Sequence, residues 1–101
     1  MKLIHIKSLW EVVISGSYVK AAENLGLTQS AVSKNISALE RSIGVSLLER
    51  HTRPPKLTVA GRKMMPHFAQ IILSYERIVE ASNDLKLANF YDEIADLNNN
   101  K

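Results

Sequence analysis

At 101 residues, with 46% hydrophobic and 23% charged residues, the chain has the size and composition of one ordinary globular domain, which excludes wholesale disorder. It contains no cysteine, which rules out a disulfide framework and a thiolate metal site, and no apolar run approaches the ~18 residues that a membrane-spanning helix requires. The net charge of +3 is unevenly divided: residues 1–63 carry ten Lys and Arg against four acids, net +6, and residues 64–101 carry three against six, net −3. A basic front and an acidic rear point to a polyanion-binding head on a segment with a different task. Lys7 interrupts the opening apolar stretch before a secretory core forms, so no signal peptide is expected.

Leu3, Ile6, Leu9, Trp10, Val13 and Ile14 recur at helical and not strand spacing, and Gly16 ends the run. Ser17 is placed to cap a second, short helix whose inward face is Val19, Ala22 and Leu25, closed by Gly26. The pattern restarts almost at once. Thr28 is the next cap, Val32, Ile36, Leu39 and Ile43 form the apolar stripe, and Gly44 stops the helix. Two helices joined by so short a glycine-containing turn make a helix-turn-helix candidate, although a generic helical hairpin shares this spacing. The polar face of the third helix separates the two. Gln29, Ser30, Ser33, Lys34, Ser37 and Arg41 fall within an arc of about 140°, in which Glu40 is the one acid. An amide, small hydroxyls and cations are the groups that base edges and phosphates accept, whereas a merely solvated face mixes in Glu and Asp.

Residues 47–58 change character. Leu47-Leu48 and Leu57 flank a Pro54-Pro55 turn that cannot be helical, so a small β-hairpin is expected, with Arg50, Arg53 and Lys56 as cations near its tip. Beside a recognition helix, a basic hairpin serves as a wing that reaches phosphates or the adjacent minor groove. Thr58 then caps a final helix, expected from Val59 to about Ala88 and ~45 Å long. Met64, Phe68, Ile71, Tyr75, Ile78, Ser82 and Leu85 alternate spacings of four and three, with Met65, Ile72 and Val79 on the flank. This seam is longer than the head can cover, so Phe68, Ile71, Ile72, Tyr75, Ile78, Val79 and Leu85 are candidates for pairing with a second copy of the helix. Pro66 predicts a kink. Residues 89–101 are expected to form a polar tail, frayed at Asn98-Asn99-Asn100-Lys101. His5, His51 and His67 lie on different elements without a metal-binding spacing, and neither a phosphate-binding glycine loop nor a serine elbow is present. No catalysis, no metal and no cofactor is expected.

The assembled residues resemble the N-terminal DNA-binding part of a LysR-type transcriptional regulator. The resemblance is carried by Gly16-Ser17-Tyr18, Ala21-Ala22, Leu25, Thr28-Gln29-Ser30-Ala31-Val32-Ser33, Ile36, Leu39-Glu40, Ile43-Gly44, Leu47-Leu48, Arg50 and Leu57-Thr58-Val59-Ala60-Gly61, in the family's order and spacing. It implies a mainly α fold: a winged helix-turn-helix of three helices plus a small β-hairpin wing over residues 1–58, followed by a long linker helix over 59–88 through which the protein dimerises. It implies recognition of an interrupted palindrome in double-stranded promoter DNA, in the bacterial cytoplasm. Gln29, Ser30, Ser33 and Lys34 match the family's base-reading and phosphate-contacting positions, and Arg53 matches the wing residue that approaches the minor groove. Ser17, Thr28 and Ser37 stand where backbone phosphates are commonly met, and Arg50 adds a cation beside them. Leu48 and Pro66 depart from the family pattern. After the linker helix the chain reads Asn89-Phe90-Tyr91-Asp92-Glu93-Ile94, and not the glycine-flanked strand that begins the family's effector-binding domain, so no small-molecule effector site is expected in this chain. The competing reading is a short-form interaction module that pairs with a full-length regulator through the same helix.

Overall fold

The computed structural model describes residues 1–99 and consists of four helices: α1 Leu3–Ser15, α2 Tyr18–Leu25, α3 Gln29–Ile43 and α4 Val59–Asn99. The first three begin and end where local chemistry places them. The Ser17 hydroxyl accepts from the Lys20 N–H at 3.1 Å at the start of α2, and the Thr28 hydroxyl accepts from the Ala31 N–H at 3.1 Å at the start of α3. Each cap satisfies one of the amides that a helix start leaves without a partner. Between α2 and α3 the chain reverses through Gly26 at φ 66°, and the Leu27 N–H closes on the Ala22 carbonyl at 2.9 Å. The left-handed backbone there is accessible to glycine without steric cost.

α1 is the organising helix of the head and packs on α2, α3 and α4 alike. The core joins Ile6, Leu9 and Val12 of α1, Ala21 and Ala22 of α2, and Val32, Ile36 and Leu39 of α3. Leu47 and Leu48 seal it from the loop and Phe68 and Ile72 from α4. Two inward assignments change. Ile14 and Val19 are exposed, while Val12 and Ala21 are buried. The α1–α3 contact is also keyed by polar groups. Ser8 is fully buried, donates to the Ile4 carbonyl at 2.8 Å and accepts from Asn35 at 3.0 Å.

The segment between α3 and α4 is a loop with a single antiparallel bridge, Leu48 opposite Leu57, and not the strand pair expected for a β-hairpin. Glu49 donates to the Lys56 carbonyl at 2.8 Å and Thr58 to the Leu47 carbonyl at 3.0 Å, and there the ladder ends. The reason is chemical: Pro54 and Pro55 have no N–H to extend a ladder, and the Lys56 N–H pairs with the Thr52 hydroxyl at 3.2 Å. The Arg53–Pro54 peptide is cis.

A buried carboxylate anchors this loop to α3. Glu40 stands one turn after Ile36 and about 40° round from it, which aims it past the core into the following turn. Its Oε2 accepts from the Leu47 N–H at 2.7 Å, the Ser46 hydroxyl at 3.1 Å and the Leu48 N–H at 3.4 Å, and its Oε1 accepts from the Arg50 guanidinium. A buried charge is tolerated when its lone pairs are satisfied in this way.

α4 is a single helix through Asn99, eleven residues beyond its expected end near Ala88, and the whole chain measures 69 Å along its long axis. Leu87, Phe90, Ile94 and Leu97 continue an apolar periodicity at spacings of three and four, a helical pattern within the segment expected to be a polar tail. The final two residues of that expected tail, Asn100 and Lys101, lie outside the described residues. The helix also runs through Pro66 without interruption. Pro66 and Arg62, whose carbonyl loses its i+4 donor, are both solvent-accessible, so water is available to that carbonyl. Two residues expected in the pairing seam, Phe68 and Ile72, are instead buried in the head's own core. From Leu73 to Asn99 every residue is exposed except Ser82, which is half-buried.

α4 meets the loop at Gly61, where the approach is too close for a side chain. A Cβ on Gly61 would overlap the Leu47 carbonyl oxygen and stand 2.9 Å from Leu57 Cδ2. Gly61→Ala is expected to destabilise the head by about 2–3 kcal/mol, through forced separation of α4 from the loop. Urea unfolding followed by Trp10 fluorescence measures this, and an unchanged midpoint would contradict the packing described.

Candidate nucleic-acid interface

Three contiguous depressions cover one face of the head. The first, about 420 Å³, separates the N-terminal half of α3 from the loop, with Gln29, Ser30 and Ser33 on one wall and Glu49 through Arg53 on the other. Tyr18 closes one end. The second, about 350 Å³, shares Tyr18, Gln29 and Arg53 with the first and continues over Ser17, Pro54 and Pro55. The third, about 390 Å³, runs along the C-terminal half of α3 and brings together Ser37, Arg41, Arg50 and Ser46.

The residues singled out from the sequence fall into three groups. Gln29, Ser30, Ser33 and Arg53 are brought around one groove from elements some twenty residues apart in sequence. Ser17 and Thr28 act as helix caps, and their hydroxyls retain lone-pair capacity beyond the single amide each accepts. Lys34 is exposed on α3 but lines none of the three depressions, and Ser37 lies in the third.

Arg50 has a different role from the one its position first indicates. Its side chain is 49% exposed, yet its guanidinium is held by the Glu40 carboxylate. It is therefore a clasp between loop and α3 as well as a cation on this face. Sequence reasoning does not find Tyr18, His51 and Thr52 as lining residues, or Glu40 as their support. A sign of Glu40 is present in the sequence, since it is an acid flanking the apolar ridge of a helix just before its glycine stop. Tyr18, His51 and Thr52 carry no such signal, because their placement depends on how the loop folds back.

The other histidines stand elsewhere. His67 lines a separate apolar groove with Ile71 and Tyr75 of α4 and Leu3 of α1. His5 sits in the first turn of α1, where desolvation, then the Lys2 and N-terminal ammonium groups, hold its pKa below the ordinary histidine value. Among the described residues no group of three or more His, Cys, Asp or Glu is arranged to hold a metal ion, and no helix is long and apolar enough to cross a membrane.

Residues 3–62 match the family described as bacterial regulatory helix-turn-helix protein, lysR family. An uncharacterized HTH-type transcriptional regulator of Azotobacter vinelandii, from the ibpB–leuC intergenic region, is 40% identical over 85 residues, covering 84% of this chain and 59% of that protein. The HTH-type transcriptional regulator ArgP of Vibrio vulnificus is 42% identical over 80 residues, covering 78% of this chain and 26% of its own length. Among solved structures, the BenM DNA-binding domain in complex with catB site 1 DNA matches with a TM-score of 0.77 at 30% identity, over 84% of this chain and 96% of that one. The CbnR DNA-binding domain in complex with DNA matches with a TM-score of 0.73 at 30% identity, over 82% and 95%. The chain spans 59% of the Azotobacter relative and 26% of the Vibrio one.

The clasp makes the face testable independently of any ligand. Glu40→Ala is expected to cost about 3 kcal/mol, since it strands two backbone amides and a guanidinium. Arg50→Ala should cost about 1 kcal/mol, because its half-exposed side chain is screened by solvent. Arg53→Ala should leave stability unchanged. Thermal unfolding of the three variants measures the order, and an Arg53→Ala loss equal to that of Glu40→Ala would refute it.

Proposed function

We propose that this chain, which belongs to the lysR family of bacterial regulatory helix-turn-helix proteins, binds promoter DNA sequence-specifically as a homodimer and regulates transcription from it. The observation that carries the reading is the convergence of Gln29, Ser30 and Ser33 with Arg53 around one groove, on a face whose free cations are Lys34, Arg41 and Arg53. α3 enters the major groove with its first turns leading, so that Gln29 and Ser30 meet base edges and Lys34 meets phosphate. Gln has the bidentate geometry that reads adenine, and serine hydroxyls donate or accept as the base demands. Arg53 extends from the loop toward the flanking minor groove, and Ser17, Thr28 and Ser37 take phosphate contacts that set the register. The DNA-bound BenM and CbnR domains, matched over most of their length, support DNA binding by this fold. The protein acts by binding, not by catalysis, and a chromosomal target places it in the bacterial cytoplasm.

Dimerisation is the second part of the proposal. Ile71 and Tyr75 are exposed on α4 at the edge of the head, and Ile78, Val79 and Leu85 project beyond its reach, with Ile78 63% and Leu85 66% exposed. An apolar row of this length on a soluble helix is stable when a second copy covers it. Two heads on one paired helix would read two half-sites, which is the physical basis of a palindromic operator.

Four measurements test the reading. Affinity should fall steeply with salt, and Lys34→Ala or Arg53→Ala should weaken binding on all sequences while flattening the log–log salt slope by about 0.9 for each phosphate no longer neutralised. Gln29→Ala should instead cost about 1–3 kcal/mol on the preferred sequence and little elsewhere. Selection from a random DNA pool supplies that sequence, and recovery of no interrupted palindrome would count against the dimeric mode. Ile78→Asp should convert the dimer to monomer in sedimentation equilibrium, with the head still folded.

A further inference from the structure

A helix in the major groove and a loop at the adjacent minor groove straddle one sugar–phosphate strand. On the DNA-binding reading above, on which this inference rests, the 420 Å³ groove between α3 and the loop is the channel in which that strand lies. The channel's fixed charges nearly cancel. The α3 wall offers only the neutral Gln29, Ser30 and Ser33, and α2 offers the Tyr18 phenol. From the loop, Arg50 is committed to Glu40, and Glu49 and Arg53 are opposite in sign. The remaining titratable group in the channel is His51.

Three features single His51 out. It is exposed in the channel wall. Its imidazole has no hydrogen-bond partner among the described residues, although every neighbouring loop position is tied: Arg50 to Glu40, the Glu49 N–H to the Lys56 carbonyl, and the Thr52 hydroxyl to the Glu49 carbonyl at 3.4 Å and the Lys56 N–H. Its backbone is left-handed, at φ 66°, and it is the one non-glycine residue with positive φ among those described. That conformation is sterically unfavourable for an L-residue and persists where the surroundings over-determine it, commonly at functional sites. The ties on both sides supply the over-determination, and the result is an unpaired imidazole held in the channel.

We propose that His51 is a DNA-contacting residue that, as an imidazolium, donates to a backbone phosphate of the strand lying between α3 and the loop. Histidine is the side chain whose charge changes between about pH 5 and pH 8, while a phosphodiester stays anionic throughout that range. DNA binding is then linked to uptake of one proton at His51, and the linkage is reciprocal. The other charged or titratable groups facing the channel are Tyr18 of α2 and Glu49, Arg50 and Arg53 of the loop.

The test is fluorescence anisotropy of the full chain on a labelled mixed-sequence DNA duplex, which reports phosphate contacts irrespective of operator identity. Between about pH 8 and about pH 5.5 the unsubstituted protein should tighten by about 5–10-fold, and its log–log salt slope should steepen by about 0.9. His51→Gln should abolish both changes. His51→Asn, a neutral donor that tolerates the left-handed backbone, should do the same and guards against a folding artefact in the glutamine variant. His5→Gln and His67→Gln should retain the unsubstituted protein's pH response. Retention of that response by His51→Asn, or its absence from a protein that does bind DNA, overturns the role of His51 alone. Failure of the unsubstituted protein to bind duplex DNA at either pH overturns the DNA-binding reading and this inference together.

Discussion

The Glu40 carboxylate is the interaction on which the rest of the head depends. It collects two backbone amides, a hydroxyl and a guanidinium from the residues that follow α3, and it does so while buried. Burial makes each of these bonds stronger than its counterpart in water, and it makes any missing partner costly. The consequences propagate outward. With Leu47 and Leu48 held at the end of α3, the loop has one course across the head, and its far side, Leu57 and Thr58, is set by the bridge to Leu48 and the bond to the Leu47 carbonyl. The Thr58 hydroxyl donates to the Ser46 carbonyl at 2.7 Å and accepts from the Gly61 N–H at 2.9 Å, so the same clasp also determines where α4 begins.

The candidate interface inherits this order. Gln29 and Ser30 are positioned by the Thr28 cap and the α1–α3 packing, whereas Arg53 is positioned by a loop that carries almost no β structure. A wing built as a ladder would be rigid through its own backbone bonds. This loop is instead tied down by a side chain of α3, so the two walls of the groove share the Glu40 carboxylate as a support. Arg50 belongs to both, as a member of the clasp and as a cation lining the groove.

α4 carries a different physics along its length. Its first turns belong to the head: Gly61 lies against Leu47, Phe68 and Ile72 complete the core, and the Lys7 ammonium stands 4.7 Å from the centre of the Tyr75 ring, a cation–π contact that pins the helix to α1. Beyond Tyr75 the helix leaves the head, and the net charge of the chain changes sign in the same region. A basic, compact part and an acidic, extended, apolar-striped part thus divide at a definite point on one helix.

The sequence by itself determined the elements whose causes are local. Helices α1 to α3 follow from apolar spacing and from caps at Ser17 and Thr28 that act within three residues, and the polar face of α3 follows from the same helical period. The family resemblance was legible for the same reason, since its motifs are mostly caps, stops and stripes. The tertiary structure alone decided which residues of the α4 seam are free: Phe68 and Ile71 are indistinguishable by period, but one is buried in the head and the other is exposed. It decided that the expected hairpin is a loop with one bridge, that Arg50 serves Glu40, and that His51 stands unpaired in the channel. Each of these depends on segments that meet only after the chain has folded back. A periodic pattern records which face of an element is apolar, and it contains no information about what that face will meet.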